Sequence, residues 1–140
     1  MDQNNADTAR DWLPTLRQLP NVVVRPADGH TLAATPDGSV DLVHSHKTLV
    51  YIDIYVVVGY LAEMARVARP GGIVAFDLVT EPCLDERTVG IWAEEGTIYH
   101  PAPREWTVGF LRRRGLTLLG SHFTPLPPGK AELLVFRREH

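Results

Sequence analysis

The 140-residue sequence has a single cysteine, Cys83, no long hydrophobic run, no excess of positive charge, no internal repeat and no low-complexity tract. One cysteine cannot form an intrachain disulfide, a usage that suits a reducing, cytoplasmic setting. The longest apolar stretch, Ile54 to Ala62, falls short of the roughly 20 residues that a membrane-spanning helix needs. The opening MDQNNADTAR is polar and lacks the basic-then-apolar pattern of a secretory leader, so a cytoplasmic location and no membrane partner are expected. With 14 basic against 17 acidic residues the net charge is −3, which gives no basis for holding nucleic acid. The one basic run, Arg112 to Arg114, reads as a solvated last helical turn favoured by the helix dipole. No Gly-x-Gly-x-x-Gly follows any strand-like segment, which excludes a nicotinamide-dinucleotide oxidoreductase.

What is present is an ordinary globular balance, 44% hydrophobic and 22% charged, in a chain long enough for one domain with a true core. Asp11 is placed to cap a short helix with Pro14 in its first turn, putting Trp12, Leu16 and Leu19 on one face. Val22 to Val24 reads as a short strand buried on both faces, and Pro26 to Ser39 as a loop. Val40 to Ser45 is a second strand. A helix is expected from about Asp53 to Arg69, with Val57, Leu61, Met64 and Ala68 inward and Glu63, Arg66 and Arg69 outward. Arg69-Pro70-Gly71-Gly72 is a full stop for that helix, and Ile73 to Val79 follows as a third strand.

Glu81 to Glu95 is expected to be largely helical, and Glu105 to Arg114 to be a helix with Trp106, Phe110 and Leu111 inward and Gly115 as its stop. Leu116 to Phe123 and Leu133 to Arg137 read as strands joined across Pro125 to Lys130, hence an antiparallel pair. The alternation predicts an α/β three-layer fold with a mainly parallel sheet ending in an antiparallel hairpin.

Three stretches go beyond a generic α/β pattern: RPADGHTL (25 to 32), DGSVDLVHSH (37 to 46) and YLAEMARVARPGGIVAFD (60 to 77). In this order and at this spacing they resemble the middle and later motifs of class I S-adenosylmethionine-dependent methyltransferases. The resemblance implies a Rossmann-like methyltransferase sandwich, with Val22 to Val24 as the family's third strand, Val40 to Val43 as its fourth and Ile73 to Phe76 as its fifth. The family's first two strands and its acidic-Gly-x-Gly-x-Gly loop have no counterpart here. The expectation is therefore a single, partial, N-terminally truncated domain over 1-140, with S-adenosylmethionine as cofactor and a small molecule as methyl acceptor.

That missing loop would carry the backbone amides that meet the cofactor's amino-acid end. Asp2 stands about where the family keeps the acidic residue that takes the ribose hydroxyls. The missing strands would also leave Val40 to Ser45 as an open edge. Either Val22 to Val24 moves beside it, or a homodimer mate or other partner chain covers it. A catalytically inactive chain serving as a subunit or binding module is the alternative function.

Taken alone, Asp28 and Gly29 make an Asp-Gly turn. With the resemblance, Asp28, Gly29 and His30 match the positions that meet the adenine ring. His44, Ser45 and His46 follow the second expected strand at its carboxyl end, where ligands of open α/β sheets sit. His44 and Ser45 are assigned to the cofactor side, and His46 and Tyr51 to the acceptor side as general base or orienter. No third ligand stands at useful spacing from His44 and His46, so no metal is expected. Glu63 and Arg66 read as a solvated ion pair. Asp77 could face the acceptor or cap the next segment. Trp92, Tyr99, Trp106 and the His100 loop are candidates for an acceptor pocket, although aromatics there are more often core.

Overall fold

In the computed structural model, which describes residues 13–140, the segment Val40–Ser45 forms strand β1, as its sequence predicts. After a single helical turn at Leu49–Tyr51 comes helix α1, Ile54–Val67, whose N-cap Asp53 accepts a hydrogen bond from the Tyr55 amide. Strand β2 is Ala68–Leu78, and helix α2, Glu86–Glu95, begins on an Asp85 cap that accepts from the Thr88 amide. Helix α3, Arg104–Arg112, leads through Gly115 to strands β3, Leu116–Leu126, and β4, Gly129–Arg138. A short helical stretch occupies 13–17, while Asp2, Asp11 and Trp12 lie outside the described residues. None of the described helices is long and apolar enough to cross a membrane.

The sheet order is β1-β2-β4-β3, with β1 parallel to β2 and the two remaining pairings antiparallel. The terminal hairpin is as expected, with strands that run further toward the turn. The expected strand at Val22 to Val24 does not form. Val22 donates to the Leu19 carbonyl, and Val23 is 74% exposed. A strand of this kind needs neighbours to take its backbone groups, and none of the described strands lies beside it. The described sheet is therefore mixed rather than mainly parallel, and Val22 to Val24 does not cover the outer edge of β1, where Leu42 is 58% exposed.

Arg-Pro-Gly-Gly is not a simple full stop. Ala68 already pairs with Val40, and the ladder then shifts so that Ile73 faces Leu42, leaving Arg69 to Gly72 as an irregular swelling at the start of β2. Gly71 takes φ 82°, which a side chain would resist, and Arg69 reaches Asp41 at 2.8 Å.

Helices α1 and α3 share one core cluster with the sheet. Val57, Leu61 and Met64 from α1 and Phe110 and Leu111 from α3 pack with Val74, Phe76, Leu134 and Phe136. The Phe76 and Phe136 rings stack at 5.6 Å. Trp106, expected inward, is 45% exposed; it lies in the first turn of α3 and stacks on Phe110 at 5.1 Å rather than entering the cluster.

A Cβ at Gly72 would meet three backbone carbonyl oxygens, of Arg69, Val40 and Asp41, at 2.8, 3.0 and 3.1 Å. Gly72→Ala should therefore destabilise the protein by about 1–3 kcal/mol in urea denaturation. Gly90→Ala, at a helical position with open space around it, should gain up to about 1 kcal/mol.

Candidate functional site

The loop before β1 is organised by Asp28. Its Oδ1 accepts the backbone N–H groups of His30 at 2.9 Å and Thr31 at 2.6 Å, and its Oδ2 accepts the Thr31 hydroxyl. That hydroxyl first, then the two amides, hold the carboxyl far below the usual carboxylate range. Gly29 has φ 88° and nothing within 4 Å of where a Cβ would stand, so one side of the turn is bare. The Asp-Gly turn and an exposed carboxylate thus coexist in one structure.

What holds this loop is a pair expected to be merely solvated. Glu63 accepts the Leu32 amide at 2.8 Å and both Nε and Nη2 of Arg66. Arg66 in turn donates to the Leu32 carbonyl at 3.0 Å, the Thr35 carbonyl at 2.9 Å and the Asp37 carboxylate at 2.6 Å. Arg66, then the Leu32 amide, hold Glu63 below its ordinary value, and Glu63 and Asp37 hold Arg66 above its own. The solvated reading is therefore corrected: both side chains are mostly covered and they staple the loop to α1. Nearby on α1, a Cβ at Gly59 would lie 3.7 Å from the His30 carbonyl, and Tyr60 is raised by burial, then by the Asp28 charge.

At the other end of β1 the parallel register pairs His44 with Ala75 and Ser45 with Phe76, which brings His46 beside Asp77. His46 Nδ1 stands 3.1 Å from Asp77 Oδ2, and Asp77 is fully buried. The Lys47 amide donates to both Asp77 oxygens, at 2.8 and 3.1 Å, from a left-handed backbone of φ 53°. Asp77 therefore does not cap the following segment; it ties the end of β2 to the loop after β1. A proton on Nδ1 would face this carboxylate and leave the Nε2 lone pair free. His44 and His46 stack at 6.2 Å, on the same side as expected, with His44 exposed and Ser45 half-buried. Among the described residues no group of three His, Cys, Asp or Glu is placed to hold a metal ion.

Tyr51 makes a separate contact. Its ring lies 5.3 Å from Tyr99, which lies 5.8 Å from Trp92. Burial, then Tyr51, raise the Tyr99 phenol. A further cluster has no counterpart in the sequence reading. Glu132, 2% exposed, accepts Thr80 at 2.6 Å, Ser121 at 2.6 Å and Arg104 at 2.9 Å. Burial pushes this carboxyl up, and the three donors outweigh it and hold it low. The only signal was a glutamate directly before an apolar strand.

A family model described as a methyltransferase domain matches residues 1–76. No curated protein matches. Among solved structures the chain is similar to magnesium protoporphyrin IX methyltransferase from Synechocystis PCC 6803 with bound SAH, at 14% identity and TM-score 0.60, covering 72% of this chain and 46% of that one. It is similar to an O-methyltransferase family protein from Burkholderia thailandensis, at 17% identity and TM-score 0.65, covering 95% and 40%. A third is an S-adenosylmethionine-dependent methyltransferase from Mesorhizobium loti, at 18% identity and TM-score 0.63, covering 98% and 77%. At such identities the likeness concerns the fold, which is Rossmann-like. The chain spans less than half the length of the first two.

Thr31→Val deletes the hydroxyl that donates to Asp28 Oδ2. The Asp28 carboxyl, followed by carbon-13 NMR, should titrate at higher pH in this variant. A folded-state value below the unfolded one means that the turn's contribution is present above the ordinary carboxylate range and is lost as pH falls through the depressed value. Loop order should accordingly fail at higher pH in the variant than in the wild type; an unchanged titration would deny the hydroxyl this role.

Proposed function

The chain belongs to the methyltransferase domain family, and on that premise we propose that it works in S-adenosylmethionine-dependent methyl transfer to a small-molecule acceptor, with His46 receiving the acceptor's proton. The observation that carries this reading is the buried Asp77 carboxylate 3.1 Å from His46 Nδ1. It orients the ring, leaves Nε2 free to take a proton and would stabilise the imidazolium that results.

The Asp28 turn fits the adenine end of the cofactor. Among the described residues Oδ2 accepts only the Thr31 hydroxyl and keeps a lone pair for an amino group, while the bare side of Gly29 leaves room for a flat ring. His30 and the exposed His44 and half-buried Ser45 are the neighbouring groups assigned to this side. Glu63 and Arg66 keep the loop in place. When bound, S-adenosylmethionine supplies an electrophilic methyl group, whose bond to sulfur breaks as its bond to the acceptor atom forms, leaving S-adenosylhomocysteine. The described residues of this chain contribute positioning and a proton acceptor, the two requirements such a transfer places on a protein.

A second copy of the chain is proposed to cover the outer edge of β1, where Leu42 is exposed and none of the described strands pairs. The setting proposed is the cytoplasm, in keeping with the single, buried Cys83.

Calorimetry with S-adenosylmethionine should give micromolar binding that is lost in Asp28→Ala and retained in His46→Asn. With labelled cofactor and a panel of hydroxylated and amine acceptors, His46→Asn should lower turnover by about 10²–10⁴, and Asp77→Asn by less. Absence of heat at millimolar cofactor, or wild-type turnover in His46→Asn, would defeat the reading. Light scattering should show a dimer, with slow amide exchange at Leu42 and Val43.

A further inference from the structure

We infer that the acceptor is a flat aromatic molecule bearing a hydroxyl or amine, uncharged or cationic, seated against Trp92 and Tyr99 beside the His46–Asp77 pair. This rests on the methyltransferase reading above. A hollow of about 400 Å³ opens between α2, the loop after it and the β3–β4 turn, with Ile91, Trp92, Glu95, Ile98, Tyr99 and Pro128 among its walls. That volume lies within the range of small-molecule sites.

The hollow lies at the same end of the sheet as the dyad. The loop that carries Tyr99 is pinned by the His100 amide to the Val50 carbonyl and by the Ala102 amide to the Val79 carbonyl, each at 2.8 Å. Val50 belongs to the turn that follows His46, and Val79 stands two residues after Asp77. A ligand at the carboxyl edge of the sheet would thus reach both features.

Two of its walls are aromatic rings. Trp92 and Tyr99 are half-buried, packed against the small core of Val50, Val79, Cys83, Leu126 and Ala131. From Tyr51 through Tyr99 to Trp92 the rings form one ladder, at 5.3 and 5.8 Å. Aromatic faces held this way are ready to stack on another ring at little further entropic cost.

Charge narrows the class. Among the described residues no Lys, Arg or His lines the hollow, and the one carboxyl there is Glu95. A carboxylate or phosphate acceptor would find no counter-charge and one repulsion. Glu95 and Thr97 can instead hydrogen-bond a hydroxyl or amine. A second groove, lined by Ile54, Tyr55, Val58, Pro103 and Trp106, offers a ligand the Tyr55 hydroxyl and the Trp106 indole N–H but no carboxylate among the described residues.

The test uses the full chain without cofactor, titrated with 2-naphthol and, separately, with 2-naphthoate, the same ring carrying a negative charge. Saturable binding of 2-naphthol is expected, with NMR shifts at the Trp92 indole and not at Trp106, and 2-naphthoate about tenfold weaker or worse. Trp92→Leu should weaken 2-naphthol by about tenfold and leave S-adenosylmethionine binding unchanged, whereas Trp106→Phe should change neither. The wild-type shifts need no variant, so a misfolded Trp92→Leu does not blunt the test. Equal binding of the two probes, shifts at Trp106 instead of Trp92, or no saturation would overturn the inference. Cofactor heat without 2-naphthol binding removes the aromatic acceptor alone; 2-naphthol binding without cofactor heat removes the methyltransferase reading and leaves an aromatic site.

Discussion

The parallel register of β1 on β2 is the constraint from which most of this structure follows. Because Ser45 lies opposite Phe76, the next step of each strand brings His46 to Asp77, and the alternation along β2 turns Val74, Phe76 and Leu78 into the core. A slip of one residue would exchange the two sets, turning Phe76 away from its core cluster and driving Asp77 against α1 and α3. Core and candidate chemistry are therefore set by one alignment. The swelling at Arg69 to Gly72 is part of it, since the extra residues between Ala68 and Ile73 are taken up there before regular pairing starts.

The second dependence is electrostatic. An exposed ion pair on a helix contributes only a few tenths of a kcal/mol, whereas hydrogen bonds between charged groups and backbone are worth about 1.5–3 kcal/mol each when they are shielded. Glu63 and Arg66 fall nearer the second case, with side chains 21% and 29% exposed and three backbone groups of the loop satisfied between them. Asp37, 81% exposed, adds little beyond direction. The loop that presents Asp28 is thereby attached to the same helix whose other face fills the core. Movement of α1 would carry both.

Much of the fold was legible because it is written in local chemistry. A helix starting near Asp53, Gly115 after a helix, the alternation of elements and the antiparallel end all follow from short-range rules about backbone conformation and apolar spacing. Where the reading failed, a distant partner decided. Val22 to Val24 has the composition of a buried strand, but composition cannot supply a neighbour to bond with. Trp106 has inward spacing on α3, yet it sits in the first turn, and Phe110 gave it a stacking surface outside the core cluster.

The candidate site divides along the same line. The sequence by itself determined the Asp28-Gly29 turn, since the aspartate bonds amides two and three residues away, and it determined which strand ends bear His44, Ser45 and His46. Only the tertiary structure decided that Asp77 faces His46, that Glu63 and Arg66 grip a loop about thirty residues upstream, and that Thr80, Ser121 and Arg104 converge on Glu132. The physical reason is range. A turn or cap is settled by groups joined through a few bonds, whereas a buried charge is settled by whichever donors the folded chain brings to it.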